Sequence, residues 1–178
     1  SPTERALKGR ATRLFVTPLV ETLSRLMCQR GNVELERFFQ YHRSFKYPLA
    51  GEFCFTADLA RGINVAYDWG LEVATLSQVY DQLTTRQIAQ VDLASNYEHK
   101  HQELSPDDTN RGLHRMVVDI AKFYLTYMRS HGVPLDDAFV DMLLHTYYQT
   151  ALKYIRKYSY DADINALAFD LREEESAA

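Results

Sequence analysis

The sequence predicts an α+β fold that is predominantly helical. Two long helical patterns, over about 107–131 and 136–158, are separated by a turn that contains Gly132 and Pro134. Further upstream, residues 12–30 place their apolar side chains on one helical face. Residues 88–93 alternate apolar and polar side chains, as a half-buried strand does. These patterns favour a helix-rich chain with little sheet.

The first helix is predicted over residues 12–30. Pro18 lies within this pattern, and because proline has no N–H to donate, the helix should begin near Pro18 or bend there. Gly31 is typical of a helix end, and a second, short helix is predicted over residues 34–41.

The middle of the chain mixes irregular segments with short elements. Residues 45–55 combine aromatic residues with proline and glycine, which indicates an extended or turning segment. A short helix is predicted over 56–60 and an amphipathic helix over 70–82. Residues 88–93 then form the predicted strand.

The C-terminal part is predicted to be a helical hairpin followed by a third helix. Ser105 can cap the first helix of the hairpin, with Pro106 in its first turn. The turn around Gly132 joins the two long helices. A shorter helix is predicted over 161–175, and the acidic tail, 173–178, is expected to be solvated.

Length and composition limit the class of protein. The 178 residues allow one ordinary domain with a core, and 46% hydrophobic with 25% charged residues is usual for a globular protein. The 20 basic against 24 acidic residues give a net charge of −4, which argues against a nucleic-acid partner. Cys28 and Cys54 lack CxxC spacing and are predicted to be reduced thiols. With no apolar run long enough to span a bilayer, we expect a cytoplasmic protein without a membrane partner.

His99 and His101 stand just beyond the predicted strand. Histidines two residues apart on extended backbone point to opposite sides, so it is difficult for both to ligate one ion. One histidine at the strand exit is a candidate ligand that would complete a metal site built elsewhere, and an exposed surface loop is the alternative. The remaining histidines are expected to be structural or exposed: His42, His114, His131 and His145.

Gly9, Arg10 and Thr12 precede the first helix and form a candidate anion seat. Glycine lets an anion approach the backbone closely, and a guanidinium can donate two parallel hydrogen bonds to an oxyanion. The threonine hydroxyl and free helix N–H groups could complete the seat. The alternative is an ordinary loop before a helix.

Two glutamates and an Asp-x-Asp pair are further candidates. Glu52 and Glu72 each follow a glycine-containing turn, where a carboxylate could hydrogen-bond sugar hydroxyls or act as a general base. The alternative is a helix-start carboxylate favoured by the helix dipole. Asp161 and Asp163 are expected to cap the start of the third helix, although their spacing resembles that of a metal–diphosphate site.

Four segments in a fixed order carry a family resemblance: GRAT (9–12), YPLAGEFC (47–54), DWGLE (68–72) and IAQVDL (88–93). Together they resemble the second half of the glucosyl-3-phosphoglycerate synthases, retaining glycosyltransferases of the GT-A fold. The specificity of the resemblance rests on the ordered set. It implies that residues 1–104 form the acceptor- and metal-side half of a GT-A domain, followed by a C-terminal helical extension over 105–178.

The resemblance also implies roles for single residues. Gly9, Arg10 and Thr12 would seat the phosphate of 3-phosphoglycerate. Glu72 would contact hydroxyls of the donor sugar, and Leu49 would line the reaction centre through its backbone.

The same resemblance places the two histidines. His99 would be the last metal ligand, and His101 would lie on the acceptor side. Because the histidine is displaced by about one residue relative to the strand, His101 stays open as the alternative ligand. Asp68 and Trp69 stand where the family has Gly-Tyr, which leaves the contact there open.

The resemblance further implies the reaction and its partners. Glucose or another hexose would pass with retention from a UDP- or GDP-hexose to 3-phosphoglycerate, with Mg²⁺ or Mn²⁺ shared between His99 and an Asp-x-Asp motif. Neither that motif nor a nucleotide-binding βαβ region precedes Gly9 in this sequence. We therefore expect the chain to be a portion of a longer homodimeric enzyme and to be inactive alone.

The competing interpretation is a helical interaction or oligomerisation module without enzymatic activity. The predicted hairpin carries six tyrosines that could line a partner surface, although packing within a bundle core explains them as well. They are Tyr124, Tyr127, Tyr147, Tyr148, Tyr154 and Tyr158.

Overall fold

A computed structural model describes residue 7, residues 9–93 and residues 112–177, and within them the chain is predominantly helical, as predicted. A π-helical segment, Ala11–Val16, leads into the first α-helix, and a 3-10 turn, Thr85–Gln87, follows the fourth. The α-helices are α1 (Thr17–Gln29), α2 (Val33–Arg43), α3 (Ala57–Gly62), α4 (Leu71–Gln82), α5 (Gly112–Ser130), α6 (Asp137–Ile164) and α7 (Leu171–Ala177).

The first helix changes type where Pro18 interrupts its hydrogen bonds. The π-helical segment turns into α1 at Thr17, and Pro18 lies in the first turn of α1. Proline has no N–H to donate to the Leu14 carbonyl, and the Tyr147 hydroxyl of α6 donates to that oxygen instead, at 2.9 Å. A side chain from the C-terminal part thus stabilises the weak point of the first helix.

The turn between α1 and α2 follows from Gly31 and Asn32. Gly31 adopts a left-handed backbone, with φ of +69°. The Asn32 amide donates to the Met27 carbonyl at 3.0 Å, which closes the end of α1. The Asn32 side chain then accepts from the Leu35 amide at 3.1 Å and caps α2. The predicted end of the first helix and start of the second are confirmed.

One hydrophobic core joins helices from both sides of residue 104. Side chains of α1 and α2 form its centre, and α4, α5 and α6 contribute further buried residues. α6 packs mainly against α1, and α5 packs against the π-helical segment and α4. The two long helices therefore pack on the N-terminal part of the chain, while the division into 1–104 and 105–178 stays a prediction. Core residues include Leu23, Leu26, Phe38, Phe39, Val73, Ile120, Tyr124, Met128, Phe139 and Leu143.

A buried histidine links α2, α4 and α5 within this core. The Ser77 hydroxyl donates to the Val73 carbonyl at 2.7 Å, so its oxygen accepts from His42 Nε2, at 3.1 Å. The Tyr124 hydroxyl donates to His42 Nδ1 at 3.0 Å. Burial lowers the pKa of His42 to about 3, so the ring is neutral and both nitrogens are satisfied. The expected structural role of His42 is confirmed.

Residues 88–93 form no strand, so that prediction is wrong. Ile88 has an extended backbone, with φ of −114° and ψ of 131°, but no described segment pairs with it as a ladder. Contacts with Lys46 hold this segment: the Lys46 amide donates to Gln90 Oε1 at 2.7 Å, and Lys46 Nζ pairs with Asp92 at 3.0 Å. Alternating apolar and polar side chains favour an extended backbone. A strand also needs a neighbouring backbone with which to form hydrogen bonds.

The C-terminal helices differ from the prediction at two points. α6 continues to Ile164, so Asp161 and Asp163 lie in its last turns and do not cap a third helix. The chain turns only at Ala166, with φ of +52°. The tail is not solvated throughout, because Glu174 is buried. The acidic composition of the tail predicted that its side chains are exposed, but Glu174 is buried because it pairs with a buried cationic side chain.

Two further sequence expectations concern cysteines and membranes. Cys28 and Cys54 are both exposed free thiols. Among the helices that the structure describes, none combines the length and the apolar character needed to cross a bilayer.

Candidate functional site

Residues of the first three segments of the resemblance converge around Tyr47. Gly9 has φ of +75°, a left-handed backbone in which a side chain is strained. A Cβ atom added at Gly9 would lie 3.6 Å from Cε2 of Tyr47, so this glycine lies close to the phenol ring. The Gly9 carbonyl accepts from the Arg13 amide at 2.9 Å, which starts the first helix at the same point.

Thr12 faces the same phenol. Its side chain is buried, and its hydroxyl lacks a well-aligned hydrogen-bond partner among the residues that the structure describes. It nevertheless lies close enough to Tyr47 to act on the phenol. Burial and the charge of Glu72 raise the pKa of Tyr47, and the Thr12 hydroxyl works against this rise.

Two carboxylates act on Tyr47 through their charge. Glu72 occupies the first turn of α4, and Glu52 acts more weakly on the phenol. Half-burial of the Glu72 side chain raises its pKa, although its own backbone amide partly offsets this. Gly9, Thr12 and Glu72 thus all lie near the phenol of Tyr47.

The start of α4 is fixed by α5. The Asp68 side chain accepts from the Gly70 amide at 2.9 Å, and a Cβ at Gly70 would lie 3.6 Å from the Asp119 carbonyl oxygen. Desolvation of Asp119 works to raise its pKa, but hydrogen bonding and charge from Arg115, at 2.9 Å, together with the Trp69 backbone amide, hold it below the usual value. Glu72 thus extends from a helix end that packs closely on α5.

Arg10 is already engaged by carboxylates of α7. Its guanidinium Nη2 lies 2.7 Å from Glu173 Oε1, and its Nε lies 3.5 Å from Glu174 Oε1. Arg13, one turn further on, pairs with the same Glu174 at 3.0 Å and covers the ring of Tyr158 at 5.2 Å. The sequence interpretation missed these partners, since they lie more than 160 residues away from Arg10 and Arg13.

Leu49 lies two residues after Tyr47 in the sequence, and its side chain is apolar. Its side chain belongs to the hydrophobic core. The Ala50 amide donates to the Tyr47 carbonyl at 3.1 Å, so Leu49 lies within a turn that fixes Tyr47. This arrangement leaves only the Leu49 backbone for a role in a reaction centre.

His99 and His101 lie outside the described residues. Within residues 9–93 and 112–177, no three or more His, Cys, Asp or Glu side chains gather as a metal site would require. The described part of the chain therefore does not form a metal site by itself.

Comparison with known proteins gives two relatives. The sequence is 42% identical over 168 residues to the glucosyl-3-phosphoglycerate synthase of Persephonella marina, covering 94% of this chain and 40% of the relative. It is 40% identical over 173 residues to that of Methanococcoides burtonii, covering 95% of this chain and 40% of the relative. No family model and no solved structure matches the chain. The resemblance found in the four segments is confirmed, over a chain that spans about 40% of the length of these relatives.

Proposed function

We propose that this chain supplies the acceptor side of a glycosyltransferase that moves glucose from a nucleotide-glucose to 3-phosphoglycerate, with retention of configuration. The observation that carries the proposal is the convergence of Gly9, Thr12 and Glu72 around Tyr47. Gly9 and Thr12 belong to the first segment of the resemblance, Tyr47 to the second and Glu72 to the third, and these distant segments meet at the phenol of Tyr47. The names of the two relatives support the transfer of a glucosyl group to 3-phosphoglycerate.

The acceptor phosphate would bind at the start of the first helix. The left-handed Gly9 lets an oxyanion approach the backbone, and the buried Thr12 hydroxyl can donate a hydrogen bond to it. Arg10 would supply the charge-assisted contacts through its guanidinium. Each of the three residues thus has a distinct part in holding one phosphate.

Glu72 would hold the donor sugar. A carboxylate accepts hydrogen bonds from two neighbouring hydroxyls, and a half-buried one does so without strong competition from water. Because its pKa is raised, Glu72 loses this acceptor capacity at a higher pH than an exposed glutamate would. The acid limb of the pH profile should therefore lie above the ordinary glutamate pKa.

A divalent cation is a further part of the proposal. We place His99 as its single ligand from this chain, and carboxylates from outside the chain would complete the shell, since Mg²⁺ and Mn²⁺ favour oxygen ligands. In the complete polypeptide that contains this sequence, His99→Ala should weaken Mn²⁺ binding in paramagnetic titrations, whereas His101→Ala should be mild. The reverse ranking would transfer the ligand to His101, and unchanged binding in both variants would remove the metal role.

The proposed reaction is tested directly with labelled substrates. The complete polypeptide is incubated with Mg²⁺, labelled nucleotide-sugars and a panel of acceptors. Label should pass to 3-phosphoglycerate and the product should keep the configuration of the donor. Transfer only to a lipid or a glycan would contradict the proposal.

A second function, self-association, is favoured by an apolar stripe on α6. Val140, Leu144 and Tyr148 recur every four residues along this helix and are exposed. We propose that these side chains contribute to a homodimer. Light scattering of the complete polypeptide at micromolar concentration should give twice the chain mass, and Leu144→Glu should reduce it. A monomer before substitution would contradict the dimer.

A further inference from the structure

The two carboxylates that contact Arg10 and Arg13 are presented by the first turn of α7. Asp170 begins this turn: its side chain accepts from the Arg172 amide at 2.9 Å and from the Glu173 amide at 3.1 Å. Glu173 and Glu174 follow within the turn, where the helix dipole favours negative charge. The backbone thus fixes where both carboxylates begin.

The two ion pairs differ in exposure. The side chains of Arg10 and Glu173 are 30% and 55% exposed, whereas those of Arg13 and Glu174 are 10% and 7% exposed. An exposed pair is screened by water and contributes little, while removing one partner of a buried pair leaves an uncompensated charge. Glu173 is therefore easily displaced, and Glu174 is not.

We infer that Glu173 is an internal competitor of the phosphorylated acceptor for Arg10, and that Glu174 stays on Arg13 and keeps α7 in place during the exchange. This inference rests on the proposed function, in which Arg10 contacts the acceptor phosphate. The displaced group is a single carboxylate, and the incoming phosphate carries close to two charges and three acceptor oxygens. A phosphorylated ligand can therefore replace Glu173.

Glu174 also orients the arginine that is exposed by this exchange. Its Oε1 lies 3.5 Å from Arg10 Nε and its other oxygen lies 3.0 Å from Arg13 Nη1. When Glu173 turns away, the four side chains change from a balance of two positive and two negative charges to an excess of one positive charge. Arg10 keeps its contact with Glu174 and presents Nη2 to the ligand. An acceptor without the phosphate would compete poorly with Glu173, so the contact should favour phosphorylated acceptors.

The test measures acceptor binding in the complete polypeptide by calorimetry, with 3-phosphoglycerate and, separately, inorganic phosphate as probes. Glu173→Gln removes the competing charge and should tighten binding of 3-phosphoglycerate by about two- to fivefold. In kinetics the change should appear in KM for the acceptor. The matched control is Glu175→Gln on the same short helix, where the side chain is exposed and no tightening is expected. Unchanged or weaker binding in Glu173→Gln would overturn the inference.

A third variant separates this inference from the proposed function. If Arg10→Ala binds 3-phosphoglycerate as tightly as the unaltered protein, Arg10 does not contact the acceptor and both the assignment and the inference are wrong. If Arg10→Ala weakens binding while Glu173→Gln changes nothing, only the competition is wrong. Tightening in Glu173→Gln that is lost when Arg10→Ala is added would support both.

Discussion

At the scale of single residues, the need for glycine at position 9 comes from its backbone conformation and not from a lack of space around it. The predicted anion seat contains this glycine, and its φ of +75° gives the physical reason for a glycine there. The space near Gly9 is not restrictive, since an added Cβ would make an ordinary contact with Tyr47 at 3.6 Å. Any effect of substitution should therefore come from backbone strain.

Gly9→Ala should lower the free energy of unfolding by about 1 kcal/mol, because alanine is strained in the left-handed region. It should also weaken acceptor binding by shifting the start of the first helix. The matched control is Gly51→Ala, where no left-handed backbone and no neighbouring atom opposes a side chain. Urea denaturation measures both variants, and equal stability of the two would argue against the strained backbone.

His42 makes stability depend on pH. Its folded pKa is about 3, below the ordinary value of 6.5, so below pH 6.5 the unfolded chain takes up a proton that the folded chain refuses. Stability is therefore full above pH 6.5 and falls as the pH drops towards 3. Between pH 7 and pH 5 the loss should be about 2 kcal/mol. Denaturation at both pH values measures it.

His42→Asn supplies the comparison, because asparagine does not titrate in this range. The variant should be less stable at pH 7, since it changes a satisfied buried hydrogen-bond network. Between pH 7 and pH 5 the variant should lose less unfolding free energy than the unaltered protein, and the difference should be most of the about 2 kcal/mol assigned to His42. An equal loss in both proteins would assign the pH dependence to other groups.

At the scale of elements, helical periodicity predicted most helices and failed where tertiary contacts decide. The helices α1, α2 and α4 follow from apolar spacing and from signals such as Gly31 and Asn32. The segment 88–93 has the pattern of a strand but no ladder partner among the described residues. Likewise, the burial of Glu174 depends on Arg13, which the local sequence around residue 174 cannot indicate.

Glu174→Ala tests whether α7 is a structural element of the fold. Arg13 would stay buried without its main carboxylate, so stability should fall by about 3 kcal/mol. Glu175→Ala, next to it and exposed, should change stability by less than about 0.5 kcal/mol. Thermal unfolding ranks the two variants, and similar midpoints would mean that the buried pair contributes nothing.

At the scale of the whole molecule, the shared core couples the two sides of residue 104. Ile120 of α5 is fully buried in the same cluster as Leu23 of α1. The apolar face of each helix can be predicted from the sequence, but which faces meet depends on tertiary packing. It therefore predicted a hairpin of α5 and α6 and did not show that both pack against the N-terminal part.

Ile120→Ala should destabilise the whole chain by about 2–5 kcal/mol, because it leaves a cavity in the common core. Trp69 is the single tryptophan, and its fluorescence reports on the N-terminal part, while far-UV circular dichroism reports on all helices. The two signals should shift together in urea. Val118→Ala, on the exposed side of α5, is the control. If Ile120→Ala shifts the urea transition seen by circular dichroism but not the one seen by Trp69 fluorescence, the parts before and after residue 104 would unfold independently.

In the proposed function, the start of the first helix binds the phosphate of the acceptor. This contact is tested by comparing kcat/KM for 3-phosphoglycerate and for glycerate in the complete polypeptide and in its Arg10→Ala variant. Arg10→Ala should lose about ten- to hundredfold with 3-phosphoglycerate and little with glycerate, because only the first offers the phosphate. Arg129→Ala, at an exposed arginine in the last turn of α5, should lose neither activity. An equal loss of both activities in Arg10→Ala would contradict this contact.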